Sequence, residues 1–410
     1  MKPLNYATIG IGGYGARHLA AARRLHEEAL IRLTAVAEIY QDRHRETLEE
    51  LSAEGANVYD DYREMLRREP DLDIVSVPTP IPLHFPMALD CFERRMNVFL
   101  EKPPAPLIQQ VDKMCRVAEE NDCLCQVGFQ NISDTAARRL KERLSEGALG
   151  AIKDLTVVGT WTRFDGYYER AEWAGRLRLN DTWVLDGPLN NPLCHYIHEA
   201  LFLASSHPHG TEEPREVRAE LYHAHPIEGE DLVCARGRLA GGATLHTYLT
   251  LCAPESAPPR IRIEGERGSA LWEPGRYEME TEEGCEEYEG ERGTCLELFR
   301  NFVRGLQGEA PLWSPLSATR NVILHNNGCY RSSGRVRALP EEIVKRYVSE
   351  KPEDNGDTVT EIEDVLGLIE EAVDRRCLFS EMDLPWAGAG ETVSLDFDSY
   401  DPSHLLEDRD

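Results

Sequence analysis

Apolar residues recur along this chain with two different periods. Tyr6-Ala7-Thr8-Ile9 is a short apolar run, and Ala16–Ala29 beyond it carries Leu19, Ala22 and Leu25 at helical spacing. The run Ile31–Ala37 follows, then a helical pattern over Arg43–Glu54, then Tyr59 and a short helix reaching Arg68. Asp73–Val77 and Asn97–Leu100 read as further strands, separated by a helix over Phe85–Arg94. Helices alternating with apolar strands through the first 130 residues predict a doubly wound parallel sheet. In such sheets ligands settle at the carboxyl ends of the strands. Gly10, Glu38, Thr79 and Lys102 stand at four of those ends.

The first turn carries the plainest chemistry. Gly10-Ile11-Gly12-Gly13-Tyr14-Gly15 follows the first strand without a gap and opens a helix, the context that makes G-x-G-x-x-G a dinucleotide signature. Gly10 allows the tight turn, Gly12 lets a pyrophosphate approach the backbone, and Gly15 lets helix and strand pack closely. The free N–H groups of the helix then face phosphate charge. Glu38 ends the second strand, where an acidic side chain accepts hydrogen bonds from ribose hydroxyls and repels a 2′-phosphate. Arg43 and Arg45 lie nearby, so the reading is NAD, with NADP disfavoured. Lys102, in Glu101-Lys102-Pro103-Pro104, follows the run Asn97–Leu100, and two prolines fix it at the crevice edge.

In these motifs the chain resembles the Gfo/Idh/MocA oxidoreductase family. The matching pieces are Gly10–Gly15, Thr79-Pro80 with His84, Glu101-Lys102-Pro103, Gln126-Val127-Gly128-Phe129 and the segment Gly187–His195. Ile263–Gly268 and Tyr330–Ser333 are more diffuse matches, and the likeness covers roughly residues 1–340. It implies an α/β protein: a Rossmann domain over 1–128, then a substrate and oligomerisation domain over 129–340 with a large open, mostly antiparallel sheet. Residues 341–410 are left as a C-terminal extension, helical around Glu361–Arg376 and then irregular. Alternating patterns at Leu155–Trp161, Val217–Tyr222, Leu232–Leu239, Thr244–Leu251 and Arg260–Glu264 fit the second sheet. The acidic run Glu278–Glu291 reads as a solvated hairpin or loop, and 294–306 and 316–330 as helices that pack under that sheet or return toward the first domain. The resemblance further implies that Gly10, Gly12, Gly13, Tyr14, Gly15, Glu38, Thr79, Pro80, His84, Glu101 and Lys102 hold the cofactor. It places Lys102, His195 and Asn191 at the reacting carbon, and implies a homo-oligomer, dimer or tetramer.

Taking a hydride from a carbinol carbon leaves a carbonyl, so the hydroxyl proton needs a path away. Lys102 stabilises alkoxide charge or relays that proton, and His195 exchanges protons near neutral pH. The family pattern has an aspartate four residues before the histidine, and this chain has Asn191 there. An amide orients a hydroxyl but takes up no proton. Either His195 and Lys102 carry the proton between them, or another carboxylate is recruited; Asp186 and Glu199 are near in sequence but lack the matching spacing. Three of the six tryptophans fall between Trp161 and Trp183, among tyrosines and arginines. Aromatic faces stack on sugar rings and arginines hold hydroxyls or carboxylates, so Tyr168, Arg170, Trp173 and Arg176 are the candidate substrate contacts.

Composition narrows the partners. Net charge is −28 over 410 residues, which excludes nucleic acid and anionic membrane as partners, since both demand clustered Lys and Arg. No apolar stretch approaches the roughly 18 residues of a membrane span, and the first strand begins too early for a secretory signal, so the expectation is cytoplasmic. Eleven cysteines without paired spacing read as free thiols of a reducing compartment. Cys123-Leu124-Cys125, His207/His209 and His223/His225 lack a completing ligand set, so no metal is expected. Three functions fit: an NAD-dependent dehydrogenase of a sugar, sugar acid or cyclitol; a glycosidase-like enzyme working through transient oxidation by bound NAD; and a non-catalytic nucleotide- and sugar-binding regulator. Net NADH production, glycoside cleavage without net reduction, and cofactor binding without turnover distinguish them.

Overall fold

The computed structural model describes residues 2–407. They fall into two compact units, neither continuous in sequence. The first comprises the chain up to Ala105 together with Gln109–Ser133 and Gly293–Arg320.

That unit alternates strand and helix: β1 (Leu4–Ile9), α1 (Gly15–Glu27), β2 (Ile31–Ala37), α2 (Arg45–Ala53), β3 (Asn57–Tyr59), α3 (Tyr62–Arg68), β4 (Ile74–Val77), α4 (Ile81–Phe92), β5 (Asn97–Leu100), α5 (Ile108–Glu120) and β6 (Cys125–Val127). The six strands run parallel in the order β3-β2-β1-β4-β5-β6, the doubly wound order whose reversal beside β1 opens a ligand crevice. β4 is buried at every position and β5 at three of four, as expected of strands covered on both faces. α4 starts at Ile81, earlier than the expected Phe85, because Pro82 falls in the first turn, where a missing N–H is harmless. Leu19, Ala22 and Leu25 of α1 point into a core that a distant helix, Cys295–Leu306, completes with Leu298, Phe299, Phe302 and Val303. Phe99 of β5 stacks on Phe299 at 4.4 Å between ring centroids. The segment expected at 294–306 therefore belongs to the first unit, and the units do not follow the chain-order boundaries at 128 and 340.

The second unit comprises Pro106–Ile108, Asp134–Arg292 and the chain from Asn321 onward. Its elements are α6 (Thr135–Ser145), β7 (Ile152–Thr160), α7 (Asp165–Glu169), the small pair β8 (Arg178–Leu179) and β9 (Thr182–Trp183), α8 (Cys194–Ala204), β10 (Pro214–His223), β11 (Leu232–Leu239), β12 (Thr244–Thr250), β13 (Arg260–Gly265), β14 (Gly268–Glu273), β15 (Arg276–Thr281) and β16 (Gly284–Glu289). With Cys295–Leu306 numbered α9, there follow α10 (Arg320–Ser333), β17 (Val336–Ala338), β18 (Val344–Val348), β19 (Thr358–Ile362), α11 (Val365–Arg375) and β20 (Val393–Ser394). The large sheet has the order β16-β15-β14-β13-β7-β12-β11-β10-β17, with β20 also on β10. It is antiparallel except at β7/β12 and β10/β17. The acidic run expected as a hairpin or loop is the β15/β16 hairpin: Tyr277 and Met279 face inward while Glu278 and Glu280 face water.

The extension has defined structure over its described residues. β18 and β19 form a hairpin, and α11 with residues 377–382 covers one face of the sheet. Ile362, Val365, Ile369, Leu378 and Phe379 pack there against Val158, Tyr222, Cys234 and Tyr248. The Tyr248 hydroxyl donates to the carbonyls of Ala372 and Cys377, both at 3.0 Å, so the cover is tied by hydrogen bonds as well as by apolar contact.

Candidate active site

The glycine loop is shaped by contacts that exclude side chains. Gly10 has φ +91°, and a Cβ on Gly15 would lie 2.8 Å from the Gly10 carbonyl oxygen. A Cβ on Gly12 would meet His44 Nε2 at 3.0 Å, whereas Gly13, at φ +55°, faces open space. Tyr14 caps α1 and its ring meets His18 edge-on at 5.9 Å. Glu38, 5% exposed at the end of β2, accepts the Ile11 N–H at 2.9 Å and the Tyr40 N–H at 2.8 Å. A carboxylate has about four acceptor sites, so Glu38 braces the loop and keeps capacity for ribose hydroxyls. The cradle that a Cβ would fill, beside a buried carboxylate, fits a dinucleotide.

Behind Lys102 stands a buried chain that the sequence reading missed. His18 is fully buried, with Nδ1 2.6 Å from Ser76 Oγ and Nε2 3.1 Å from Glu101 Oε1. Glu101 Oε2 in turn accepts the Lys102 N–H at 3.0 Å. Gly128 makes this arrangement fit, because a Cβ there would stand 2.5 Å from Glu101 Oε1. Glu101 thus holds the backbone from which the half-buried Lys102 side chain departs. His84, expected among the cofactor contacts, is 1% exposed, with Nδ1 2.7 Å from the Pro103 carbonyl and Nε2 2.7 Å from the Thr79 carbonyl. It straps the loops after β4 and β5 together, and burial lowers its pKa. Thr79 Oγ1 is buried without a hydrogen-bond partner among the described residues, and Pro80 caps α4.

Asn191 and His195 lie in the second unit, on the turn before α8 and in its first turn. Asn191 Nδ2 donates to Asp186 Oδ1 at 2.8 Å. Asp186, 2% exposed, also accepts the Gly175 N–H at 2.7 Å and has the Arg170 guanidinium 3.7 Å away. A carboxylate five residues before position 191 thus stands against the Asn191 amide. Glu199 is buried in α8, where desolvation raises its pKa well above the usual carboxylate value, Asp134 adding to the rise and Lys141 opposing it. Glu230, unremarked in the sequence, accepts the Tyr330 hydroxyl at 2.6 Å and the Leu189 N–H at 3.2 Å, and burial pushes its pKa up to about 8. Two glycines were its signal: a Cβ on Gly187 would collide with the Glu230 carboxyl at 2.2 Å, and one on Gly229 with the Asp186 carbonyl at 2.0 Å.

The aromatic segment lies in the same unit. The Arg170 guanidinium sits over the rings of Tyr167 at 3.7 Å and Trp173 at 4.8 Å. Tyr168 and Arg176 line a cavity of about 380 Å³ with Asp165, Glu169, Ile227 and Glu228. Arg176 faces Glu228 at 3.6 Å. Of the four expected substrate contacts, Tyr168 and Arg176 share this cavity, while Arg170 and Trp173 stack on each other beside Asp186.

Two family models match the chain: one described as oxidoreductase family, NAD-binding Rossmann fold, over residues 4–129, and the GFO/IDH/MocA C-terminal domain over residues 137–271. Myo-inositol 2-dehydrogenase of Thermotoga maritima is 29% identical over 36% of this chain and 42% of its own length. Inositol 2-dehydrogenase of Rubrobacter xylanophilus is 32% identical over 35% and 40% respectively. The chain thus spans about two fifths of the length of the curated relatives it matches. Among solved structures, the WlbA dehydrogenase from Chromobacterium violaceum in complex with NADH and UDP-GlcNAcA has TM-score 0.69 at 23% identity, covering 81% of this chain and 94% of that one. An inositol dehydrogenase homolog complexed with NAD+ from Azotobacter vinelandii has TM-score 0.69 at 19% identity, covering 81% and 95%. These likenesses establish the fold. Among the described residues no helix is long and apolar enough to cross a membrane.

Proposed function

The chain belongs to the Gfo/Idh/MocA oxidoreductase family, and from that premise we propose that it is an NAD-dependent dehydrogenase of a CH–OH group on a sugar, sugar acid or cyclitol. The observation that carries the reading is the Ser76–His18–Glu101 chain ending on the Lys102 backbone, in the same unit as the glycine cradle. When bound, the nicotinamide supplies the site that accepts or returns a hydride. The protein does the rest.

Glu38 binds the ribose hydroxyls with the carboxylate capacity its two backbone bonds leave, and its charge disfavours a 2′-phosphate, which is the reason for NAD over NADP. The backbone around Gly12 and Gly13 receives the pyrophosphate. Thr79 Oγ1 offers a hydrogen bond that no described residue takes. Lys102 stabilises oxygen charge on the substrate, and His195 exchanges the hydroxyl proton. Asn191 orients a hydroxyl with its amide, one N–H of which donates to Asp186. Tyr168, Arg170, Trp173 and Arg176 surround the rest of the substrate. The inositol and nucleotide-sugar dehydrogenases among the relatives support a polyol or sugar as that substrate.

The test is an NADH-absorbance screen over cyclitols, aldoses, uronates and aryl glycosides, with Lys102→Ala as control and cofactor affinity measured by calorimetry. A substrate-dependent NADH signal lost in Lys102→Ala, with NAD affinity retained, is the expected result. Turnover surviving Lys102→Ala refutes the role of the amine, and NAD binding without turnover on any class points to the regulator.

A further inference from the structure

One buried cluster has no part in the chemistry above. In the second unit, the loop after β10 carries His225, its far end carries Asp231, and Cys252 lies just beyond β12. All three are essentially unexposed, and one ligand atom from each lies within 4.8 Å of the others. His225 Nδ1 is 2.9 Å from Asp231 Oδ2 and 3.3 Å from Cys252 Sγ. Its Nε2 is 3.1 Å from the Arg163 carbonyl oxygen, an acceptor only, which places a proton on Nε2.

The geometry separates two readings. In a nucleophilic triad the thiol and the carboxylate flank opposite ring nitrogens. Here both converge on one nitrogen in a site closed to solvent, so the cluster is not built to attack a substrate. A histidine whose remote N–H is held by a backbone carbonyl while its other nitrogen faces a thiol and a carboxylate has the outer-sphere arrangement of a metal ligand. Asp231 is oriented in the same way, accepting the Ala224 and His225 N–H groups at 2.8 to 3.0 Å. A fourth group stands beside them. The Tyr168 ring packs 4.7 Å from the His225 ring, and its hydroxyl is buried without a hydrogen-bond partner among the described residues.

We propose that His225 Nδ1, Cys252 Sγ and Asp231 Oδ2 bind a divalent cation of the zinc class, with the Tyr168 hydroxyl beside the fourth position. Mixed imidazole, thiolate and carboxylate donors at these separations suit a four-coordinate borderline-soft ion. Binding releases to solvent the Cys252 thiol proton and any proton on His225 Nδ1, since both atoms bind in their deprotonated forms. The ion clips the β10–β11 loop, which supplies Pro226, Ile227 and Glu228 to the cavity wall, to the end of β12. Asp231 and Cys252 stand 6 and 27 residues beyond His225, with no local spacing motif, which is why the sequence pointed to no metal.

The test uses untagged full-length protein purified without chelator. Elemental analysis should find one zinc per chain, and chelation followed by cobalt titration should produce a thiolate-to-cobalt charge-transfer band with tetrahedral d–d absorption. Cys252→Ser should abolish the band and lower zinc content roughly tenfold or more. Cys285→Ser, at an exposed thiol, should change neither. Wild-type protein with no zinc and no thiolate band overturns the site. Zinc retained in Cys252→Ser overturns it equally. If that variant does not fold, the wild-type cobalt spectrum alone decides.

Discussion

Restoring the family aspartate through Asn191→Asp is the most informative single change. The substitution replaces an amide N–H that donates to Asp186 Oδ1 at 2.8 Å with a second carboxylate oxygen at the same place. Two charges that close repel by about 6 kcal/mol at an effective dielectric near 20. The pair escapes by keeping one proton, which sets a ceiling of about four units on the upward pKa shift of the shared acid. Arg170, 3.7 Å from Asp186, offsets part of this. A carboxyl whose folded pKa is raised contributes stability that is complete below its unfolded pKa, about 3.9, and is lost as pH rises through the folded value. The variant should therefore nearly match wild type only near pH 4, and the gap in thermal midpoint should widen from there up to about pH 8. Thermal denaturation of both proteins across that range measures it. Parallel curves would mean that position 191 and Asp186 are not in contact, and the account of the recruited carboxylate would fail.

Three further outcomes follow from the same geometry. Gly15→Ala should abolish NAD binding in calorimetry while far-UV circular dichroism stays native, because the new Cβ would lie 2.8 Å from the Gly10 carbonyl and push the loop out of shape. Glu38→Ala should weaken NAD by about tenfold to a hundredfold, the scale of a lost charged hydrogen bond, and relax the discrimination against NADP; unchanged preference would count against the ribose assignment. Glu230, with its pKa raised to about 8, favours the folded state fully below its unfolded value near 4.3 and ceases to do so as pH rises through 8. Glu230→Gln should flatten that alkaline loss of stability, and an unaltered pH–stability profile would contradict it.

What the sequence made legible was whatever is local. The parallel sheet announced itself through apolar runs a turn apart, and β11 at Leu232–Leu239 has the bounds its alternation predicts. The glycine loop, Glu38 and Lys102 are each recognisable from a few neighbours. What stayed hidden depends on separation. His18 meets Glu101 across 83 residues and Tyr330 meets Glu230 across 100, so no window of sequence contains either pair. α9 reads as an amphipathic helix but does not say which sheet it covers; that is decided by Phe99 offering a flat face to Phe299.

The extension illustrates the physical limit most clearly. Its sequence is acidic, a composition that by itself names no surface to cover. Yet α11 and Phe379 lie on apolar positions of β7, β10, β11 and β12, and Arg236 and Arg218 hold Glu381 in place. An exposed sheet face of that size would be an association surface. Here the chain's own residues occupy it, and the uncovered strands β15 and β16 present Glu278, Glu280 and Glu287. Like charges repel across a two-fold contact between identical faces, so these strands gain from facing water. The extension therefore keeps this apolar face of the large sheet out of water.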